Sequence, residues 1–126
     1  MLSDHGPLYF RIANSIVASL PDDWVSAQVH AIFYADSITW EPEYQGVDGR
    51  TRQFDIALDL TRAFRELRQN FRDAGLPVWG QAVFLLKPDG KFNLKWGYDN
   101  TNEIGDTIWD EDTWRRRHEE RRGRLS

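Results

Sequence analysis

Two groups of carboxylates are the side chains best placed to do chemistry. Glu41 and Glu43 share one face of a predicted strand, and a later acidic run has no intervening basic residue. The run consists of Asp99, Glu103, Asp106, Asp110, Glu111 and Asp112. Acid–base catalysis needs a desolvated carboxyl group with a raised pKa. Both groups lie in strongly polar sequence, which favours solvated surface carboxylates. A small hydrolase using Glu41 and Glu43 stays open as an alternative.

The sequence offers no other pattern typical of catalysis or ligand binding. The three histidines, at positions 5, 30 and 118, fall on a terminus, a strand and a charged helix without metal-ligand spacing. His30 is expected to be a half-buried packing residue. Cysteine, a nucleophile elbow and a glycine-rich phosphate loop are all missing from the sequence. We therefore expect no catalytic residue, no metal site, no cofactor and no enzymatic activity.

Arginines form two sets that could contact phosphate. Arg62, Arg65, Arg68 and Arg72 lie on one helical face among acidic partners, which is typical of a solvated face. The second set, in the RRRHEERRGR tract, is interrupted by Glu119 and Glu120 and has no stacking aromatics around it. With a formal net charge of −4, the chain favours a basic protein partner over nucleic acid. A nucleic-acid-associated regulator using this arginine-rich end is the second alternative.

The elements that position these residues follow from hydrophobic periodicity and turn residues. In the first half of the chain we predict a helix over Tyr9–Leu20 ended by Pro21, strands over Trp24–Ala35 and Ile38–Tyr44, and a short strand over Arg50–Phe54. A second helix follows, capped by Asp55 and ended by Gly75–Pro77. The remainder is predicted as a hairpin of Trp79–Leu86 with Phe92–Tyr98, a loop over Thr101–Thr107 and a polar helix over Ile108–Arg122. The order α-β-β-(β)-α-β-β-α predicts an α+β fold in which an antiparallel sheet packs against helices.

Alternation within the strands predicts which side chains face the core. Val25, Ala27, Val29, Ala31 and Phe33 share one face of the first strand, and Phe92, Leu94, Trp96 and Tyr98 share one face of the last. The 126 residues suit a single domain over residues 1–126. The sequence shows neither a signal peptide nor an apolar run long enough to span a membrane, so we expect a cytoplasmic protein without a membrane partner.

A set of motifs spread over residues 8–100 carries a family resemblance. The motifs are Ile12-Ala13, Leu20-Pro21-Asp22-Asp23-Trp24, Leu67-Arg68-Gln69-Asn70-Phe71, Gly75, Trp79, Gly90-Lys91-Phe92 and Gly97-Tyr98-Asp99. In this order they resemble the YezG-like immunity protein family, small cytosolic proteins that neutralise polymorphic secreted toxins of bacteria. The resemblance implies an α+β fold, no enzymatic activity and tight binding to a cognate toxin domain. Its large apolar residues, Trp24, Phe71, Trp79, Phe92 and Tyr98, are expected in the core.

A toxin-facing surface is expected outside the shared motifs. We predict it on Asp99–Asp112, through the acidic run and Trp109, with Glu41 and Glu43 as a second patch. Exposed tryptophan is a common binding hot spot, so Trp109 is a candidate anchor, whereas Trp114 is expected to dock the last helix onto the sheet. Because an acidic inhibitor suits a basic cleft, the expected toxin is a nuclease or another nucleic-acid-modifying enzyme.

Overall fold

The computed structural model describes residues 6–124, so the histidine at position 5 lies outside the described residues. The elements are α1 (Gly6–Ala18), β1 (Trp24–Phe33), β2 (Ile38–Gly46), β3 (Thr51–Gln53), α2 (Leu58–Asp73), β4 (Gln81–Leu86), β5 (Phe92–Gly97) and α3 (Glu111–Arg124). Their order and type confirm the predicted α+β fold, including the short third strand.

The five strands form one antiparallel sheet in the order β3-β2-β1-β4-β5. β1 lies at the centre of the sheet, between β2 and β4. Its side chains alternate between the two faces, with Val29 and Ala31 on one side and His30 and Ile32 on the other. The hairpin of β4 and β5 closes at Gly90, which adopts a φ of 88° that residues with a side chain rarely accept. Because side chains alternate along the strands, the sheet has one face that is mainly apolar and one that is mainly polar.

The hydrophobic core lies between the apolar face and the helices α1 and α2. Trp79 is fully buried there; it stacks on Trp96 with 4.5 Å between ring centroids and meets Phe33 and Phe71 edge-on. α2 presents a strictly periodic apolar face that includes Leu60, Phe64 and Leu67. α3 instead lies over the polar face, so the molecule has three layers.

Several local expectations are wrong. Asp55 does not cap α2; the helix begins at Leu58, and its N-cap residue Ala57 makes no side-chain capping bond. Val25 is exposed, because the β1–β2 register shifts between Trp24 and Ser26. This bulge turns Trp24 toward the core in its place.

The core prediction also fails at the two ends of β5. Phe92 stacks on Phe84 with 5.2 Å between ring centroids, yet it stays exposed at the sheet edge. Tyr98 lies just beyond the strand and is exposed as well. Leu94 and Trp96, between them, pack against the core as predicted. Edge position therefore overrides periodicity at the strand ends.

Helix boundaries differ from prediction by two or three residues. α1 ends at Ala18, before Leu20, and α3 runs from Glu111 to Arg124 where Ile108–Arg122 was expected. Among the residues that the structure describes, no helix is both long and apolar enough to cross a membrane.

Candidate functional site

The loop between β5 and α3 is fastened to the sheet at Thr107. Its backbone N–H donates to the Phe33 carbonyl at 2.7 Å, and its hydroxyl donates to the Gly80 carbonyl at 3.0 Å. An isolated bridge pairs Thr101 with Thr107 and closes the loop on itself. Thr101–Thr107 is thus a loop as predicted. The hydrogen bonds of Thr107 fix the position at which the residues after it leave the sheet.

Arg68 of α2 holds the same loop from below. Its guanidinium donates to the carbonyls of Trp79 at 3.3 Å and Gly105 at 2.5 Å, and lies 3.4 Å from a carboxylate oxygen of Asp106. The guanidinium carbon also lies 4.5 Å from the ring centroid of Phe33. Burial lowers the pKa of Arg68 below its ordinary value. The expectation that Arg68 belongs to a solvated arginine face is wrong, because only 9% of it is exposed.

Asp110 begins α3. Its carboxylate accepts a hydrogen bond from the Thr113 hydroxyl, and its carbonyl accepts one from the backbone N–H of Trp114 at 2.9 Å. The bond from Thr113, helped by backbone N–H groups, lowers the pKa of Asp110. Glu111 and Asp112 follow in the first turn, where the helix dipole favours negative charge.

Three side chains beside this helix start form an aromatic patch, which consists of Tyr34, Trp109 and Trp114. The Trp109 ring centroid lies 5.9 Å from that of Tyr34 and 5.8 Å from that of Trp114. Trp109 is 55% exposed and Trp114 is 41% exposed. Trp114 also stacks on His118 at 5.1 Å. The expected docking of Trp114 onto the sheet is therefore only partial: the ring lines a gap beneath α3 while much of it faces solvent.

The structure divides the predicted acidic run. Asp110, Glu111 and Asp112 are exposed and border the aromatic patch. Asp99 and Glu103 are also exposed, at other points of the loop. Asp106 is half-buried and faces Arg68. The continuous part of the predicted surface is thus Trp109–Asp112.

Glu41 and Glu43 lie under α3, and the expectation that they are solvated is wrong. They are 7% and 5% exposed. Glu41 accepts a hydrogen bond from Arg117 at 2.6 Å. Glu43 accepts from Arg121 at 3.2 Å and from Arg124 at 3.3 Å. A role for these carboxylates in partner binding stays a prediction, and it requires α3 to leave this part of the sheet.

His30 lies between the carboxylate and guanidinium of the first pair. Its Nδ1 is 2.9 Å from Arg117 Nη2 and 3.5 Å from a Glu41 oxygen, and its Nε2 is 3.0 Å from the Gln81 amide oxygen. Because Arg117 can only donate, Nδ1 accepts and Nε2 carries the proton. Burial, followed by the charge of Arg117, lowers the pKa of His30. The expected half-buried position is confirmed.

The cluster of His30, Glu41, Glu43 and their arginine partners joins α3 to the sheet. Because arginine side chains already pair with the carboxylates that acid–base chemistry would use, the hydrolase alternative gains no support from the geometry. Within residues 6–124, no group of histidine and carboxylate side chains is arranged to hold a metal ion.

Sequence reasoning missed the arginines that cover Glu41 and Glu43. Arg117, Arg121 and Arg124 are spaced i, i+4 and i+7, which places them on one side of a helix. Glu41 and Glu43, at i and i+2, share one side of a strand. This complementary spacing was the sequence signal that could have predicted the pairing of the helix with the strand. It also weakens the nucleic-acid alternative, because three arginines of the tract are already paired.

Comparison with known proteins defines the class. A family model described as "Immunity protein YezG-like" matches residues 47–120, which is more than half of the chain and extends from the end of β2 into α3. The chain belongs to this family of immunity proteins, and the resemblance seen in the motifs is confirmed. A similar relative is Immunity protein YezG of Bacillus spizizenii (strain W23), 22% identical over 111 residues that cover 75% of this chain and 69% of the relative.

Proposed function

We propose that this immunity protein binds a cognate secreted bacterial toxin in the cytoplasm and neutralises it by covering the toxin's active site or substrate groove. It acts stoichiometrically and without enzymatic activity of its own. The observation that carries the proposal is the aromatic patch, where Trp109 projects beside three carboxylates. Large exposed aromatic side chains near charge are the residue types that dominate binding energy in protein interfaces.

The patch is held ready for binding in the free protein. Trp109 lies two residues after Thr107, whose backbone and hydroxyl are bonded to the sheet. The rings of Tyr34 and Trp114 both contact the Trp109 ring. A side chain that is already ordered loses less conformational entropy on binding, which strengthens the complex.

Charge indicates the kind of toxin. The chain carries a formal net charge of −4, and Asp110, Glu111 and Asp112 are exposed next to the patch. Such a surface suits a basic partner. Toxins that cleave or modify nucleic acid need a basic cleft to hold phosphate. We therefore propose a nuclease or another nucleic-acid-modifying toxin, encoded beside this gene as the C-terminal domain of a larger secreted protein.

The test is rescue and binding with that neighbouring toxin domain. Co-expression of this protein is expected to restore growth of cells that produce the toxin domain. Trp109→Ala is expected to weaken binding by about 2 kcal/mol or more with little change in thermal stability. Phe10→Ala is the matched control, because Phe10 is 66% exposed on α1, behind the opposite face of the sheet.

The outcomes separate cleanly. Growth that is not restored by the wild-type protein contradicts the proposed function. Restored growth with equal affinity for the wild type and Trp109→Ala keeps the function and moves the interface away from the patch. Loss of affinity in Phe10→Ala of the same size would place the interface on the helical side.

A further inference from the structure

α3 covers the polar face of the sheet without burying an apolar stripe. None of its fourteen residues is buried, and Trp114 is its one large apolar side chain. Helices that are permanent parts of a fold normally bury an apolar stripe. α3 is instead held at its second half by Arg117, Arg121 and Arg124, which we call the arginine cover.

The surface beneath this cover is an acidic groove whose polar side chains can be solvated when the arginines are absent. Its floor is Gln28, His30, Glu41 and Glu43, which are neighbours across β1 and β2. All four are polar, so uncovering them exposes polar groups, and the main core stays covered on the other face of the sheet. A strand face that is never solvated normally carries apolar side chains.

The helix also fits the groove incompletely. A cavity of about 80 Å³ lies between the sheet and the part of α3 from Thr113 to Arg121, with Glu41 and Thr39 in its wall. A wider gap of about 220 Å³ opens beside Glu43 and Arg124. α3 therefore leaves space beside Glu43 that its own side chains do not fill.

We propose that the second half of α3 is a displaceable intramolecular occupant of the acidic groove, and that a basic segment of the partner enters the groove in its place. α3 pivots about its first turn, so Trp109 and Tyr34 keep their contact. The inference deepens the proposed function and rests on it for the identity of the partner. The arginine cover indicates which side chains of the partner the groove would accept, since its guanidinium groups already pair with Glu41 and Glu43.

The first test needs no toxin. The probe is a labelled synthetic peptide of residues 111–124, added to the full-length variant Arg117→Gln/Arg121→Gln, whose own cover is weakened. The peptide is expected to bind this variant at least about tenfold more tightly than the wild type, because a weakened intramolecular occupant competes less. Arg116→Gln/Arg122→Gln is the matched control: it makes the same charge change on the same helix at exposed positions. Equal binding, or no binding, to all three proteins overturns the proposal.

The second test uses hydrogen exchange of the complex with the toxin domain. Displacement predicts that amides of Arg117–Arg124 exchange faster in the complex than in the free protein, since a short helix detached from its support is marginally stable. Slower exchange of these amides in the complex shows that α3 stays seated, which overturns the displacement and keeps the proposed function. If the wild-type protein does not bind the toxin, the proposed function fails, and the peptide test still decides whether the groove accepts a second arginine-bearing helix.

Discussion

Arg68 Nη2 donates a hydrogen bond of 2.5 Å to the carbonyl of Gly105, thirty-seven residues further along the chain. This bond joins the central core helix to the loop that leads into the aromatic patch. The same guanidinium reaches the Trp79 carbonyl at 3.3 Å, so one buried side chain links α2, the segment just before β4 and the loop. Stability of the core and placement of the candidate interface are thereby coupled.

Replacing Arg68 should destabilise the fold. Arg68→Met keeps most of the side-chain volume but leaves two backbone carbonyls and Asp106 without their donor. We expect a loss of about 2–4 kcal/mol in the free energy of unfolding. Arg65→Met, on an exposed position of the same helix, should change stability by no more than about 0.5 kcal/mol. Urea denaturation of both variants measures the difference, and equal midpoints would show that Arg68 contributes nothing specific.

Gly105 should tolerate no side chain. Its φ is 93°, and a Cβ there would lie 2.5 Å from Cγ1 of Val78. Gly105→Ala is expected to cost about 2–4 kcal/mol, of which about 1–2 kcal/mol arises from the left-handed backbone and the rest from the clash. Gly49→Ala is the control, because Gly49 has a φ of 81° in open space and should show the backbone cost alone. Similar thermal melting of the two variants would show that the clash is relieved.

The His30 cluster should make stability depend on pH. The folded pKa of His30 lies below its ordinary value of 6.5, chiefly through burial and then through Arg117. As the pH falls below 6.5, the unfolded chain takes up a proton before the folded protein does, so stability falls; above 6.5 this contribution is constant. Glu41 opposes the shift, whereas Arg124 adds to it.

His30→Gln isolates this contribution. Denaturation at pH 7.5 and pH 5 should show a smaller acid-dependent loss in His30→Gln than in the wild type. His118→Gln is the control, because His118 lies on α3 at an exposed position. The same acid-dependent loss in the wild type and His30→Gln would place the titrating group elsewhere.

Association with the toxin domain should depend on salt through the first turn of α3. Glu111→Gln/Asp112→Asn is expected to slow association by about threefold to tenfold at low ionic strength, because exposed charges steer encounter more than they hold the complex. The difference should vanish near 500 mM salt, where screening shortens the Debye length to less than half of its value of about 10 Å at 0.1 M. Asp22→Asn/Asp23→Asn makes the same charge change in the exposed turn before β1 and should have little effect. Stopped-flow mixing measures these rates, and association of the wild type that is indifferent to salt would contradict a basic partner.

Local sequence determined the elements and their order. Apolar spacing defined α2, alternation defined β1, and Lys87–Lys91 defined the hairpin turn, since each signal lies within a few neighbouring residues. The same local rules placed Trp109 on an exposed segment and its carboxylates beside it. They failed at Val25 and Phe92, where a bulge and a sheet edge changed the environment of a correctly predicted strand.

Only the tertiary structure decided which charged residues are buried and what they contact. Glu41 meets Arg117 across 76 positions of sequence, and Arg68 meets Gly105 across 37. A strand of alternating carboxylates and a helix of arginines each look solvated when considered alone, because local pattern reports only whether a side chain can remain in water. Burial of such charges becomes favourable when the fold brings opposite charges together, since each partner then compensates the other's desolvation.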